Sequence, residues 1–302
     1  MRIRSASLIQ NALLLVAFVV ACSASGTQRV FDTPDAAVEA LLEALAADDL
    51  DELNRIFGPE FREMLLEADQ EDAKRDRAVI SDHAEREGTR LNEISESEQM
   101  LLIGEVDWPF PMPLVRDEKG WHFDTAEGLE EIADRRVGEN EANAIAVARV
   151  YAEAQEAYAR EDRDGDLVLE YAQRLISTPG QRDGLFWPVD EGSHKELSPF
   201  GPLIAETREE EPERERGDPF KGYFFEILTR QGPNPPGGEY DYIVNGNMIA
   251  GFALVAFPAE YGESGVMTFV VSQQGTVFQK DIGPFPGMDR YDPDSSWSAI
   301  DE

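Results

Sequence analysis

The sequence predicts an α+β protein with two folded domains. Three observations carry this prediction: helical spacing of apolar residues near the N-terminus, a long helical pattern over residues 126–160, and a strand-like stretch over residues 222–283. A chain of 302 residues is long enough for two domains that each have their own core. We therefore expect a first domain over residues 31–125 and a second, made of the long helix and an antiparallel sheet, over residues 126–302.

The stretch from Gly222 to Gly283 predicts the sheet around which the second domain is built. Its middle part, Ile249 to Phe257, is an almost unbroken apolar run, which is typical of a central strand buried on both faces. Gln274-Gly275 and Asn245-Gly246 predict the tight turns of two hairpins, because Asn and Gly tolerate a positive φ. These signals predict a sheet of short antiparallel strands.

The helical pattern over residues 126–160 predicts a helix with one apolar face. In the second half of the helix, the residues of this apolar face are spaced by four, three and four positions: Val147, Tyr151, Ala154 and Tyr158. We expect this face to cover the sheet. After the helix, residues 171–176 predict a further short helix.

The first domain begins with helix signals and ends with strand signals. Thr33 and Pro34 predict a helix start, with Thr33 as the N-cap. From Arg90 the pattern changes to strands, and the last two form a hairpin that ends at Asp124. Helices followed by such strands resemble the nuclear-transport-factor-2-like (NTF2-like) α+β fold over residues 31–125. That fold carries a pocket between helix and curved sheet, and we find no catalytic constellation to fill it.

The N-terminal residues predict export. Arg2 and Arg4 give a short basic start, and Ala12 to Val20 form an apolar core of about nine residues, too short to span a bilayer. This arrangement is typical of a signal peptide, which we place at residues 1–21.

Residues 19–22, Val-Val-Ala-Cys, resemble the lipobox of bacterial lipoproteins. The resemblance implies acylation of Cys22, a tether over residues 22–30 and anchoring in the membrane through the acylated N-terminus. Ser23 resembles the pattern that sorts lipoproteins to the outer membrane, where the protein would face the periplasm. The alternative is an ordinary signal peptide cleaved near Ala24, which gives a soluble periplasmic or secreted protein.

The charge of the chain restricts its partners. There are 61 acidic and 27 basic residues, for a formal net charge of −34. Such a surface repels phosphate groups, so we expect no nucleic-acid partner and no attraction to anionic lipid headgroups. The remaining partner classes are an envelope protein or a small ligand.

Residues 162–170 contain a candidate calcium site. Four acidic residues stand at positions one, three, five and nine of the loop, as in an EF-hand: Asp162, Asp164, Asp166 and Glu170. Leu167 replaces the glycine of an EF-hand, and Gln173 replaces its last, bidentate glutamate. We therefore predict weak binding, with calcium as the candidate cofactor. The alternative is a charged helix end followed by a turn at Gly165.

Two family resemblances cover the second half and the whole mature chain. Asn140 to Ile145 and the segment Gly265 to Phe269 resemble the helix junction and sheet head of type IV pilins. The long apolar helix that polymerises pilins is missing, so we do not expect a filament subunit. Trp108 to Pro111, Asp164 to Arg174 and Gly251 to Phe269 resemble the bacterial domain-of-unknown-function family 2950. This resemblance implies an exported protein and supplies no catalytic residues.

These observations predict an envelope binding or structural module and no enzyme. The histidines His83, His122 and His194 show no metal-ligand spacing, and no nucleophile or phosphate-binding motif is found. Two alternatives remain open. One is an envelope hydrolase with a site between the domains, and the other is an accessory component of a secretion or pilus apparatus.

Overall fold

The structure is a computed structural model that describes residues 27–62, 70–187, 198–200 and 218–301. The predicted signal peptide, Cys22 and His194 lie outside the described residues. The described chain forms two compact units that divide between Arg136 and Val137. Helices combined with antiparallel sheets confirm the α+β class.

The first unit begins with helices whose ends carry the expected caps. Thr33 is the N-cap of α1, and its hydroxyl oxygen accepts a hydrogen bond from the Ala36 amide at 3.2 Å. Asp49 caps α2 in the same way, through the Glu52 amide at 2.9 Å. Such caps satisfy amides that have no partner inside the helix. The helices are α1 Pro34–Ala47, α2 Leu50–Phe57 and α3 Gln70–Glu87.

An antiparallel sheet follows these helices. Its strand order is β1-β2-β4-β5, with β3 paired to β2. The strands are β1 Thr89–Ser95, β2 Glu98–Ile103, β3 Trp108–Pro109, β4 Leu114–Asp117 and β5 Gly120–Phe123. The predicted hairpin is confirmed, since Leu114 pairs with Phe123 and Asp117 with Gly120. Apolar side chains from helices and strands share one core, in which Leu41, Leu101 and Phe123 are fully buried.

The long helix α4 spans Thr125–Tyr158, close to the predicted bounds. At its start, the Asp124 carboxylate accepts a hydrogen bond from the Glu127 amide at 3.0 Å. None of the described helices is long and apolar enough to cross a membrane.

The main sheet of the second unit has five antiparallel strands in the order β14-β13-β12-β11-β6. Two short two-stranded sheets, β7-β8 and β10-β9, accompany it. The strands are β6 Tyr223–Leu228, β7 Arg230–Gln231, β8 Tyr240–Asp241, β9 Ile243–Val244, β10 Asn247–Met248, β11 Ala253–Pro258, β12 Thr268–Ser272, β13 Val277–Lys280 and β14 Ser298–Ala299.

Both predicted hairpin turns are confirmed. Asn245 and Gly246 have φ angles of 55° and 98° and join β9 to β10, while Gly275, with a φ of 78°, lies between β12 and β13. Positive φ at both central residues is the requirement of the tight turn predicted at residues 245–246.

The central strand was predicted to begin at Ile249, and this start is wrong. β11 begins at Ala253, and Ile249 is 44% exposed. The amides of Ile249 and Ala250 both donate to the Tyr242 carbonyl oxygen at 3.1 Å, so this segment bonds to an earlier loop instead of a neighbouring strand. From Ala253 to Ala256 every side chain is buried, which confirms burial on both faces.

The apolar face of α4 packs as predicted. All four predicted residues are buried in one core with residues of β6, β11 and β12. Within this core, the ring of Tyr151 contacts Phe252 edge to face at a centroid distance of 5.6 Å. The helix therefore covers the sheet through the side chains that the spacing indicated.

The predicted short helix at residues 171–176 is wrong. The Tyr171 amide donates to the Met248 carbonyl oxygen at 2.8 Å in an antiparallel bridge, and Ile176 pairs in parallel with Phe186. The buried Gln155 side chain holds both backbone groups of Ala172 at 2.8 Å. These hydrogen bonds engage backbone groups that a helix would need for its own hydrogen bonds, so the segment lies extended.

Candidate functional site

The candidate site is the acidic loop, residues 162–170, which follows the end of α4. The Asp162 carboxylate organises the loop, because its two oxygens accept hydrogen bonds from the Gly165 amide at 2.7 Å and the Leu167 amide at 2.9 Å. Gly165 and Leu167 have φ angles of 84° and 71°. Positive φ at these two residues turns the chain back around the Asp162 side chain.

Three carboxylates of the acidic loop lie together at the surface. Each of Asp162, Asp164 and Asp166 is exposed and offers one oxygen, and the three oxygens all lie within 4.8 Å of one another. Carboxylate oxygens gathered on one short loop are the ligands that calcium prefers in proteins. Glu170 does not belong to this group of oxygens, so the structure brings together three of the four predicted ligands.

Hydrogen bonds hold two of these carboxylates in place. The amide of Gly165, and next that of Leu167, lower the pKa of the Asp162 carboxyl group below its ordinary value. Asp166 accepts a hydrogen bond from the Val168 amide at 2.8 Å and another from the Asn247 side-chain amide at 2.6 Å. Asp162 is therefore ionised at neutral pH, and the loop presents concentrated negative charge.

Glu170 has a different environment. Burial, together with repulsion from Asp164, raises the pKa of its carboxyl group, and a hydrogen bond from the Met248 amide opposes part of this effect. Its Oε2 atom is buried without a hydrogen-bond partner among the residues that the structure describes. A half-buried carboxylate with one unsatisfied oxygen is costly unless a proton or a cation compensates its charge.

Arg163 anchors the acidic loop to the core. Its side chain is only 6% exposed. The guanidinium carbon lies 4.9 Å from the centre of the Tyr158 ring and 5.1 Å from the centre of the Trp187 ring. Its Nε atom donates to the Tyr158 carbonyl oxygen at 3.3 Å. The loop thus packs its one basic side chain against two aromatic rings, while its three aspartates are exposed.

The β9–β10 hairpin holds the other side of the loop. Besides the contact of Asn247 with Asp166, the Gln173 side chain donates to the Gly246 carbonyl oxygen at 2.7 Å. No pattern in the sequence predicts Asn247 as part of the site, because Asn247 lies 81 residues beyond Asp166 in the chain. The Asn245-Gly246 turn signal located the hairpin, and no signal in the sequence placed that hairpin against the loop.

The two histidines in the described part of the chain lie in structural elements of the first unit. His83 Nδ1 is 3.2 Å from Glu87 Oε1 within α3. His122 lies in β5, paired with Val115 of the neighbouring strand.

Comparisons with known proteins give a family and no further relative. A family model described as "Protein of unknown function (DUF2950)" matches residues 28–300. No curated protein and no solved structure matches the chain. Because the family model covers nearly the whole chain, including the acidic loop and both units, this protein belongs to the DUF2950 family.

Proposed function

We propose that this protein is an exported, lipid-anchored protein of the cell envelope, that it acts as a binding or structural module, and that it binds one calcium ion in the acidic loop. The observation that carries the calcium proposal is the group of exposed oxygens from Asp162, Asp164 and Asp166. Glu170, the fourth predicted ligand, lies outside this group of oxygens, and its half-buried carboxylate adds negative charge beside it.

The bound ion has a structural role in this proposal. The acidic loop joins α4 to the extended segment that bridges Met248. Without a cation, its carboxylates repel one another at close range, and the half-buried Glu170 adds to that repulsion. Calcium removes this repulsion and braces the end of α4 against the β9–β10 hairpin. Two departures from the EF-hand pattern, Leu167 and Gln173, place the affinity toward the millimolar end of the range for extracellular modules.

A melting experiment tests the calcium proposal. A ligand that binds only the folded state stabilises it by RT ln(1 + [L]/Kd), which is about 0.4 kcal/mol when the ligand concentration equals Kd and about 2.7 kcal/mol at a hundredfold excess. Millimolar calcium should therefore raise the melting temperature of the protein, and magnesium should raise it less, because magnesium demands a stricter geometry. The matched control is the double variant Asp164→Asn with Asp166→Asn, which keeps the size of both side chains and should lose the response.

General screening of the charge predicts a different result. A surface of net charge −34 is stabilised by any salt that screens it. If calcium, magnesium and sodium chloride at matched ionic strength raised the melting temperature equally, the calcium site would be withdrawn.

The proposed location rests on the N-terminal sequence. The basic start, the short apolar core and the Val-Val-Ala-Cys pattern at residues 19–22 support acylation of Cys22 and an outer-membrane lipoprotein that faces the periplasm. Mass spectrometry of the mature N-terminus tests it. A diacylated or triacylated Cys22 supports the anchor, and an unmodified start beyond Cys22 supports the soluble alternative.

The finer fold assignment is also a proposal. The helices and antiparallel sheet of the first unit support an NTF2-like fold, and the packing of α4 on an antiparallel sheet supports a pilin-like head. That helix-on-sheet arrangement favours a second candidate function, an accessory role in a secretion or pilus apparatus. Cross-linking in cells that assemble such an apparatus tests this role, and cross-links confined to unrelated envelope proteins would exclude it.

A further inference from the structure

Four large aliphatic side chains lie exposed around the acidic loop. The exposed fractions are 92% for Leu167, 57% for Leu169, 42% for Val244 and 44% for Ile249. We name these four residues the aliphatic patch. Leu167 and Leu169 belong to the loop, Val244 is the last residue of β9, and Ile249 directly follows β10.

Direct contacts bring these two segments together. Asp166, which precedes Leu167, accepts the 2.6 Å hydrogen bond from Asn247, and Asn247 is the cross-strand partner of Val244. Tyr171, two residues after Leu169, forms an antiparallel bridge with Met248, which precedes Ile249. Each member of the aliphatic patch is therefore within two residues of a contact between loop and hairpin.

This concentration of exposed aliphatic residues is unusual in the molecule. Nine large hydrophobic residues are exposed in the described part of the chain, and four of them belong to the patch. The other five belong to other segments of the chain: Val30, Leu50, Ile94, Val106 and Tyr261. Scattered exposed apolar residues are normal on a protein surface, whereas clusters rimmed by polar groups mark interaction sites.

Leu167 gives the strongest indication that the patch serves a function. Its φ of 71° is in the left-handed region, where a leucine is strained and a glycine is not. The side chain is almost wholly exposed, so it contributes little packing to the fold. The chain therefore keeps a strained residue whose side chain is available to a partner, as expected where binding is favoured over stability.

The charges around the patch restrict what can cover it. The three exposed aspartates beside Leu167 carry negative charge, and the whole chain carries −34. A second copy of this chain and an anionic membrane surface are both repelled, whereas a basic partner is attracted. We propose that the aliphatic patch docks a partner protein segment that combines aliphatic side chains with lysine or arginine.

In this arrangement, the aliphatic side chains of the partner pack on Leu167, Leu169 and Ile249, and its cationic groups lie among the loop carboxylates. This inference rests on the proposed function only in that both assign a binding role to the same loop. Because calcium and a basic side chain require the same carboxylates, calcium binding weakens partner binding. The acidic loop then has two competing occupants, and the calcium concentration decides between them.

Three synthetic peptides test the surface without knowledge of the natural partner. They are a short peptide of alternating lysine and leucine, one of alternating lysine and serine, and one of alternating glutamate and leucine. In the presence of a chelator, the lysine–leucine peptide should bind the full chain at least about tenfold more tightly than either of the others. Calcium should then lower that affinity.

The variant Leu167→Gly separates binding from folding. Removing the strained side chain should leave the melting temperature unchanged or raise it. It should also weaken the lysine–leucine peptide by about tenfold, since an aliphatic anchor is lost. Calcium binding should persist, because glycine is the residue that an EF-hand has at this position. The matched control is Ile94→Ser, which removes an exposed aliphatic residue of β1 and should leave the affinity unchanged.

Three outcomes would overturn the proposal. Equal binding of the lysine–leucine and lysine–serine peptides would show attraction by charge alone. Unchanged affinity in Leu167→Gly would remove the aliphatic patch from the interaction. If, in the presence of calcium, the chain bound anionic vesicles more strongly than the lysine–leucine peptide, the patch would be a membrane-binding surface instead. If the chain bound the peptide but did not respond to calcium, docking at the aliphatic patch would stand, and the proposed calcium site would be contradicted together with the competition that depends on it.

Discussion

The Tyr151 hydroxyl group donates a hydrogen bond of 3.1 Å to the Ala253 carbonyl oxygen, and thereby joins α4 to the first residue of the central strand. The same hydroxyl oxygen accepts a hydrogen bond from the Gln155 side chain at 3.0 Å. Tyr151 is fully buried, and burial raises the pKa of its hydroxyl group, which therefore remains a donor throughout the physiological range.

A charge at this position should unfold the second unit. Tyr151→Asp removes a buried ring and places an unpaired carboxylate in the core, so we expect a loss of about 4 kcal/mol or more in the free energy of unfolding. Tyr151→Phe is the control, because it removes only the hydrogen bonds and should cost about 1 kcal/mol. Denaturant unfolding measures both values. A wild-type midpoint for Tyr151→Asp would contradict the packing of α4 on the sheet.

The lipid anchor makes a prediction about cell fractions. Cys22→Ala removes the thiol that would be acylated, so the variant should leave the membrane fraction or accumulate unprocessed. Fractionation followed by immunoblotting of the full chain measures this. Ser23→Ala is the matched control and should remain with the membrane. If Cys22→Ala were processed and retained like the wild type, the protein would be held by something other than an acyl chain.

Glu170 predicts an unusual dependence of stability on pH. The pKa of its carboxyl group is higher in the folded state, so its contribution is fully present below the unfolded pKa and is lost as pH rises through the folded pKa. In the presence of a chelator, the wild type should therefore lose stability relative to Glu170→Gln as the pH rises above the unfolded pKa of a glutamate and through the raised pKa of the folded state. Calcium should restore it.

Asp162→Asn provides the contrasting variant, because the pKa of Asp162 is lowered in the folded state. Its stabilising contribution is present above the unfolded pKa and is lost as pH falls through the folded pKa. Glu170→Gln should therefore change stability where the pH rises above the unfolded pKa, and Asp162→Asn should change it where the pH falls below the unfolded pKa. Chemical unfolding across the pH range distinguishes them, and parallel profiles would contradict the different environments of these two carboxylates.

Arg163 should matter more to the acidic loop than its charge suggests. Arg163→Ala leaves a gap between the Tyr158 and Trp187 rings and should cost about 1–2 kcal/mol in the free energy of unfolding. Calcium affinity should fall as well, because the loop loses its anchor. Arg160→Ala is the control, since Arg160 is exposed nearby. Calorimetric titration measures the affinity. Equal effects of the two substitutions would show that Arg163 acts only as a charge.

Local signals in the sequence predicted most of the elements. Thr33 and Pro34 located the start of α1, the spacing of Val147 and Tyr151 located the buried face of α4, and Asn245-Gly246 located a tight turn. Each of these signals depends on interactions between residues that are close together in the sequence. The predicted start of the central strand was wrong, because hydrophobicity cannot show that the amide of Ile249 donates to the Tyr242 carbonyl oxygen.

The sequence predicted which residues form the candidate site better than it predicted the surroundings of those residues. Alternating aspartates indicated a cluster, and the structure places three of them together. The half-buried position of Glu170 depends on Met248, and the second partner of Asp166 is Asn247, both of which are distant in sequence. The sequence also did not predict the exposure or the positive φ of Leu167, because both depend on how the loop folds.

The burial of the α4 face also has a consequence for biosynthesis. Tyr151 contacts the ring of Phe252 and the carbonyl oxygen of Ala253, about one hundred positions later in the chain, and β12 and β13 follow them. Contacts of such sequence separation form late and slowly. While the ribosome makes the intervening residues, the apolar face of α4 lacks these contacts with the central strand and is accessible to chaperones. The C-terminal unit therefore completes its core only when nearly the whole polypeptide has been synthesised.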